Sequence, residues 1–172
     1  MWHRKRIRTI FEITEYAREK AANLKNMPRQ DYRLPPFLED RITPEDYRKW
    51  LFGKAKSHCN RDRKRGNSIA TYKSYRECIH QAVERSEGKD EYTGKELDWK
   101  KISKYNNNDA ARQGREYKRG FYDLPTVDHV GDGRGEADFK ICSWQVNDAK
   151  HDQSLSEFIE LCRSIVRFAN DV

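Results

Sequence analysis

The sequence predicts an α+β protein: a mainly helical N-terminal half, then a β-hairpin running into a short helix, then a C-terminal helix. Three observations carry this. Up to Gly88, apolar residues recur at helical spacing between recognisable helix starts and stops. After Gly88, two short β-like runs flank a glycine-rich loop. Near the end, Ser154-Leu155-Ser156-Glu157 forms a capping box ahead of one more helical stripe.

The elements follow in order. Ile7, Ile10, Phe11, Thr14, Ala17, Ala21 and Leu24 mark a first helix over 7–25. Pro28, Pro35 and Pro36 make 26–42 an extended connector, because proline lacks the amide that continues a helix. Thr43 then caps a second helix, with Pro44 at its first position and Glu45 and Asp46 in its first turn. Tyr47, Trp50, Leu51, Ala55 and His58 form its apolar stripe, and it ends before Gly66. A third helix, about 70–86, shows Tyr72, Tyr75, Ile79, Ala82 and Val83 and stops at Gly88. Tyr92-Thr93-Gly94-Lys95 reads as a tight turn between short strands, and 106–118 as a loop or short helix opened by Asn106-Asn107-Asn108. The β-like runs are Thr126–Val130 and Phe139–Trp144, joined by Gly131-Asp132-Gly133-Arg134-Gly135, which reads as a flexible loop. Asn147–Asp152 is a short helix. Leu155, Phe158, Ile159, Cys162, Ile165 and Val166 form the buried stripe expected to pack the last helix over the rest. His58 and His80 read as packing residues, and Trp99 and Trp144 as core.

Composition limits the function classes. The chain has 172 residues, 37% charged and 35% in the apolar set, so its core is small. Its aromatic content of 12% is too high for a disordered chain of that charge. No apolar run reaches the length of a membrane span. Basic Met1–Arg6 is not followed by an apolar stretch, so no secretory signal is expected. Cys59, Cys78, Cys142 and Cys162 lie far apart, which argues against zinc ribbons and disulfide scaffolds. Free thiols and no signal lead us to expect a cytoplasmic protein. Residues 1–88 hold 21 Lys+Arg against 12 Asp+Glu, whereas residues 89–172 hold 14 against 16. The basic excess thus belongs to the first half, and nucleic acid is the first partner it suggests, with an anionic membrane second. Arg61, Arg63, Lys64 and Arg65 are its densest cluster and the expected phosphate contacts; Arg4-Lys5-Arg6-Ile7-Arg8 is a second basic run.

The chemistry concentrates in 126–152. Asp128-His129 ends the first strand, and Asn147 and His151, four apart, share a helix face if the helix runs through both. A hairpin packed on that helix would gather Asp128, His129, Asn147 and His151. Asp, Asn and His are suitable ligands for a divalent cation. An imidazole titrating near neutrality can deprotonate water, and a metal can stabilise charge developing on a phosphodiester.

Val127-Asp128-His129-Val130 and Asn147-Asp148-Ala149-Lys150, with Tyr92-Thr93-Gly94 upstream, resemble the HNH endonucleases, the ββα-metal nuclease group. The motifs span about 92–152, and the wider stretch 43–168 resembles uncharacterised bacterial HNH-type proteins in which a basic helical segment precedes the nuclease module. The resemblance implies a basic helical segment over 1–88 that binds DNA, most simply double-stranded, and a nuclease module over 89–172. It implies an Mg²⁺-type ion held by Asp128 and Asn147, with Mn²⁺ or another ion as alternatives, and His129 as general base. It puts His151 where some members place a further metal-binding histidine, and Lys150 against the scissile phosphate or bracing the site. Asp138 stands where many members have a bracing Asn, and Arg134 is within reach of DNA backbone. The flanking zinc-binding cysteine pairs of many members are missing. The expected activity is metal-dependent hydrolysis of DNA. The rivals are a non-catalytic nucleic-acid-binding module and a toxin-like nuclease held by an immunity partner.

Overall fold

The computed structural model describes residues 32–171, and the stretch from Arg33 onward forms one compact unit. The expected helix over 7–25 and the basic run at 4–8 lie outside the described residues.

Helix α1 (Pro44–Lys64) starts as the sequence dictates. Thr43 is extended, and its hydroxyl accepts the Asp46 amide at 3.1 Å. Its buried stripe holds Tyr47, Trp50, Leu51, Ala55 and Cys59 and continues, unexpectedly, to Asp62. Helix α2 (Tyr72–Ser86) is opened by a reciprocal capping box between Thr71 and Ser74 and buries Tyr75, Ile79, Ala82 and Val83 against α1. The chain leaves α2 through two left-handed residues, Glu87 and Gly88. The Gly88 carbonyl accepts the Trp99 indole N–H at 3.1 Å, and Trp99 meets Trp50 edge-on at 5.4 Å. Trp99 is core, as expected.

Around Tyr92–Lys95 the expected strands reduce to a single bridge, Lys89 to Glu96. The buried Asp90 carboxylate explains this. It accepts the Tyr92 and Thr93 amides at 2.8 and 3.1 Å and the Ser143 amide at 2.9 Å, which ties the turn to the hairpin without a ladder. Two short helices follow, α3 (Asn107–Gln113) and α4 (Arg115–Arg119), hinged at Gly114. Trp144 is half-buried beside Tyr105 and Tyr122, so it belongs to a surface aromatic cluster and not to the core.

Strands β1 (Pro125–His129) and β2 (Phe139–Ser143) pair antiparallel, His129 opposite Phe139 and Asp128 opposite Lys140. Helix α5 (Trp144–Lys150) begins where β2 ends, capped by Ser143, and packs on both strands, while α2 packs on β2. The order is therefore strand, strand, helix. The chain is mixed helix and sheet, as expected. Helix α5 starts three residues earlier than expected and ends at Lys150.

The last helix, α6 (Leu155–Asn170), has the expected capping box between Ser154 and Glu157. Its packing expectation is corrected: none of its described residues is buried, and Leu155, Ile159, Ile165 and Val166 are exposed. Periodicity establishes that a helix is amphipathic, but it does not supply a partner for the apolar face. Among the described residues no helix is long and apolar enough to cross a membrane.

Candidate active site

Successive strand residues face opposite sides, so Asp128 and His129 leave β1 in opposite directions. Both nonetheless line one cavity of about 820 Å³. Asn147, Lys150 and His151 line it from the helix side, and His58, Arg61 and Arg65 from α1 and the residue after it.

His129 faces the helical half. Its ring meets Phe139 edge-on at 5.1 Å and lies 6.5 Å from the nearly parallel ring of His58. Its Nε2 lies 3.0 Å from Oδ2 of Asp62, close but without the alignment of a full hydrogen bond. Nδ1 is buried and has no partner among the described residues. Asp62 is fully buried. Its Oδ2 also accepts the Tyr75 hydroxyl at 2.7 Å, and Oδ1 faces Arg61 Nε at 3.3 Å. Burial, then the neighbouring carboxylate, raise the Tyr75 phenol, which keeps it a donor. The hairpin loop closes tightly on this group. Gly133 adopts a left-handed φ of 76°, and a Cβ there would sit 2.6 Å from Asp62 Oδ1. The buried Asn67 amide donates to the Gly133 and Gly135 carbonyls at 2.9 and 2.7 Å, so the loop is pinned and not loose.

Asp128 faces the other way and is also buried. Tyr92 donates its hydroxyl to Oδ2 in a short hydrogen bond. Lys150 Nζ lies 3.1 Å from Oδ2 and 3.3 Å from Oδ1. Lys150 is thus a buried brace of Asp128, the bracing role of the two expected of it, with its ammonium engaged by the carboxylate and not by a phosphate. Lys54, half-buried and held below its usual pKa by desolvation, donates to Thr126 Oγ1 at 3.1 Å.

Other expectations fare unevenly. Asn147 lies on α5 at the cavity, as expected. His151 does not share its helix face: α5 ends at Lys150, and His151 turns off with φ 52°, exposed, its Nδ1 3.4 Å from Asp152. The left-handed cap breaks the i, i+4 geometry. Asp138 does not brace the site. It is exposed, and its backbone carbonyl closes the hairpin on the Val130 amide at 2.9 Å. The buried carboxylate beside the site is instead Asp62, which pairs with side chains and not with the loop backbone. Arg61 and Arg65 reach the cavity wall, whereas Lys64 and Arg134 are exposed away from it. Arg63 donates to the Ala70 carbonyl at 2.9 Å and covers the Tyr72 ring, so it braces the turn after α1.

Sequence reasoning missed Asp62, Tyr75 and Tyr92. The signal for Asp62 was present: it lies four residues beyond His58 on the apolar stripe of α1, the one acid in Arg61-Asp62-Arg63-Lys64-Arg65.

His58 gives the site a measurable pH signature. Burial, then the Arg61 and Lys54 cations and His129, push its pKa down to about 3, with Asp62 opposing. In the unfolded chain the ring titrates near ~6.5. Between these values the unfolded state binds a proton that the folded state does not. Stability therefore falls as pH drops from the unfolded value toward the folded one, by at most about 1.4 kcal/mol per pH unit from this group. Urea unfolding at neutral and mildly acidic pH is expected to show a shallower loss for His58→Gln than for the parent. Equal slopes would exclude His58 as the cause.

No family model, curated protein or solved structure matches the chain. The donor chemistry can still be tested against a divalent ion. Among the described residues no three His, Cys, Asp or Glu side chains converge as a metal-holding group. A hard ion such as Mg²⁺ does not need that: it keeps several waters and binds through one or two carboxylates. One carboxylate (Asp128) and one carboxamide (Asn147) on a single cavity fit that pattern.

Proposed function

We propose that this protein is a metal-dependent DNA endonuclease of the HNH type. The observation that carries the reading is the ββα order with Asp128, His129 and Asn147 around one cavity whose wall includes Arg61 and Arg65. In this reading His129 takes a proton from water as the water attacks phosphorus. The bond to the 3′-oxygen breaks and that oxygen takes a proton from solvent, leaving a 5′-phosphate and a 3′-hydroxyl. Asp128 and Asn147 would hold the divalent ion, which when bound supplies neutralisation of charge on the leaving oxygen. Lys150 and Tyr92 orient Asp128 through an ion pair and a hydrogen bond. Arg61 and Arg65 hold flanking phosphates without reading sequence.

One observation favours a second reading. The Lys150 ammonium already neutralises Asp128, as suits a module that binds nucleic acid and needs no metal. Supercoiled plasmid incubated with Mg²⁺, Mn²⁺ or EDTA separates the two. The nuclease yields nicked or linear plasmid with metal and none in EDTA. A salt-sensitive gel shift that persists in EDTA, with no cleavage in either metal, would replace the nuclease by the binding module.

A further inference from the structure

We infer that Asp62, on α1, is the positioning residue of His129: it keeps the proton on Nε2 and leaves Nδ1 as the basic nitrogen. The inference rests on the reading of His129 as the base. Several observations converge on it. Asp62 Oδ2 lies 3.0 Å from Nε2. A proton on Nε2 makes this contact attractive, whereas an unprotonated Nε2 would set two acceptors 3.0 Å apart, so the neutral ring places its proton there. The carboxylate is fixed from other directions by Tyr75 at 2.7 Å and Arg61 at 3.3 Å, and Gly133 leaves no room for it to swing. A fully buried carboxylate is retained only where such partners compensate its desolvation. The ring is clamped by Phe139 and His58; neither ring nitrogen makes an aligned hydrogen bond among the described residues, and Nε2 is the one with a carboxylate oxygen at 3.0 Å. When Nδ1 takes a proton from water, the resulting imidazolium faces the Asp62 charge, which lowers the energy of the state being formed. The imperfect alignment at Nε2 does not argue against this, since such contacts tighten when substrate is bound. The setting of the base is thus supplied by a helix more than sixty residues upstream of its strand.

The test uses full-length protein labelled with ¹⁵N-histidine, without metal, at a pH where the ring is neutral. The chain has five histidines, and the His129 signal is the one lost in His129→Gln. The expected pattern is a protonated Nε2 and an unprotonated Nδ1, with the preference lost in Asp62→Ala. In single-turnover plasmid cleavage at saturating protein, Asp62→Asn and Asp62→Ala should slow the reaction by about 100-fold. Tyr75→Phe, which leaves the carboxylate but removes one donor, should give a smaller loss. A parent protein protonated at Nδ1 overturns the inference even if every Asp62 variant fails to fold. So do Asp62 variants that fold and cleave at the parent rate. A parent that never cleaves removes the nuclease reading, while the ring measurement still decides what Asp62 does to His129.

Discussion

His129→Ala is expected to lower the single-turnover rate of plasmid nicking by about 10²–10⁴-fold, the usual contribution of a positioned general base. The loss should appear in the rate and not in DNA binding. The basic residues proposed to hold phosphates, Arg61 on α1 and Arg65 just after it, do not depend on the imidazole for their charge. The gel-shift midpoint and its salt dependence should match the parent's. His129→Gln serves as the companion variant: it fills more of the space between Phe139 and His58 and so limits any loss of stability. If either variant nicks at the parent rate in Mg²⁺, His129 is not the base. If both lose cleavage and DNA binding together, the effect is structural, and the urea midpoint will show it.

Phe139→Ala is expected to give a large loss of stability, about 3–5 kcal/mol. Phe139 is 1% exposed, the first residue of β2, opposite His129. Its ring meets His58 from α1 at 5.3 Å, Tyr75 from α2 at 5.4 Å and His129 from β1 at 5.1 Å, all near edge-on. One side chain therefore joins both helices to the hairpin. Its removal leaves a cavity walled by rings that cannot collapse without moving the carboxylate and imidazole beside them. A small domain has only about 5–15 kcal/mol in total, so the loss is a large fraction of it. Phe139→Leu, which keeps most of the volume, should cost much less. Urea unfolding checks both; a loss below about 1 kcal/mol for the alanine variant would show that the three rings do not cooperate.

How much of this was legible in the sequence depends on whether the signal was local. Thr43-Pro44-Glu45, Thr71 with Ser74, and Ser154 with Glu157 fix helix starts through groups within four residues, and the boundaries there lie within about two residues of expectation. The hairpin was readable because Asp128-His129 and Phe139–Ser143 carry strand chemistry on either side of a glycine run. The other end of α5 was not: nothing local says that His151 turns left-handed, and the i, i+4 argument for it fails at that one residue. Asp138 and Asp62 show the same limit at long range. A carboxylate close in sequence to the motif was the natural candidate for a brace, but the fold supplied one from α1, placed by the packing of α1, α2 and β2.

The pinning of the hairpin by α1 and α2 bears on how the proposed site could be moved between proteins. A ββα unit treated as a cassette would be excised and fused to another protein. Cutting this chain at Gly88 would carry Asp128, His129, Asn147 and Lys150 into the chimaera. It would leave behind Asp62, Tyr75, His58 and the Asn67 amide that anchors the loop. A transplant of residues 89–172 would hold its histidine against solvent instead of a carboxylate. The smallest portable piece of this protein begins no later than Thr43, the cap of α1.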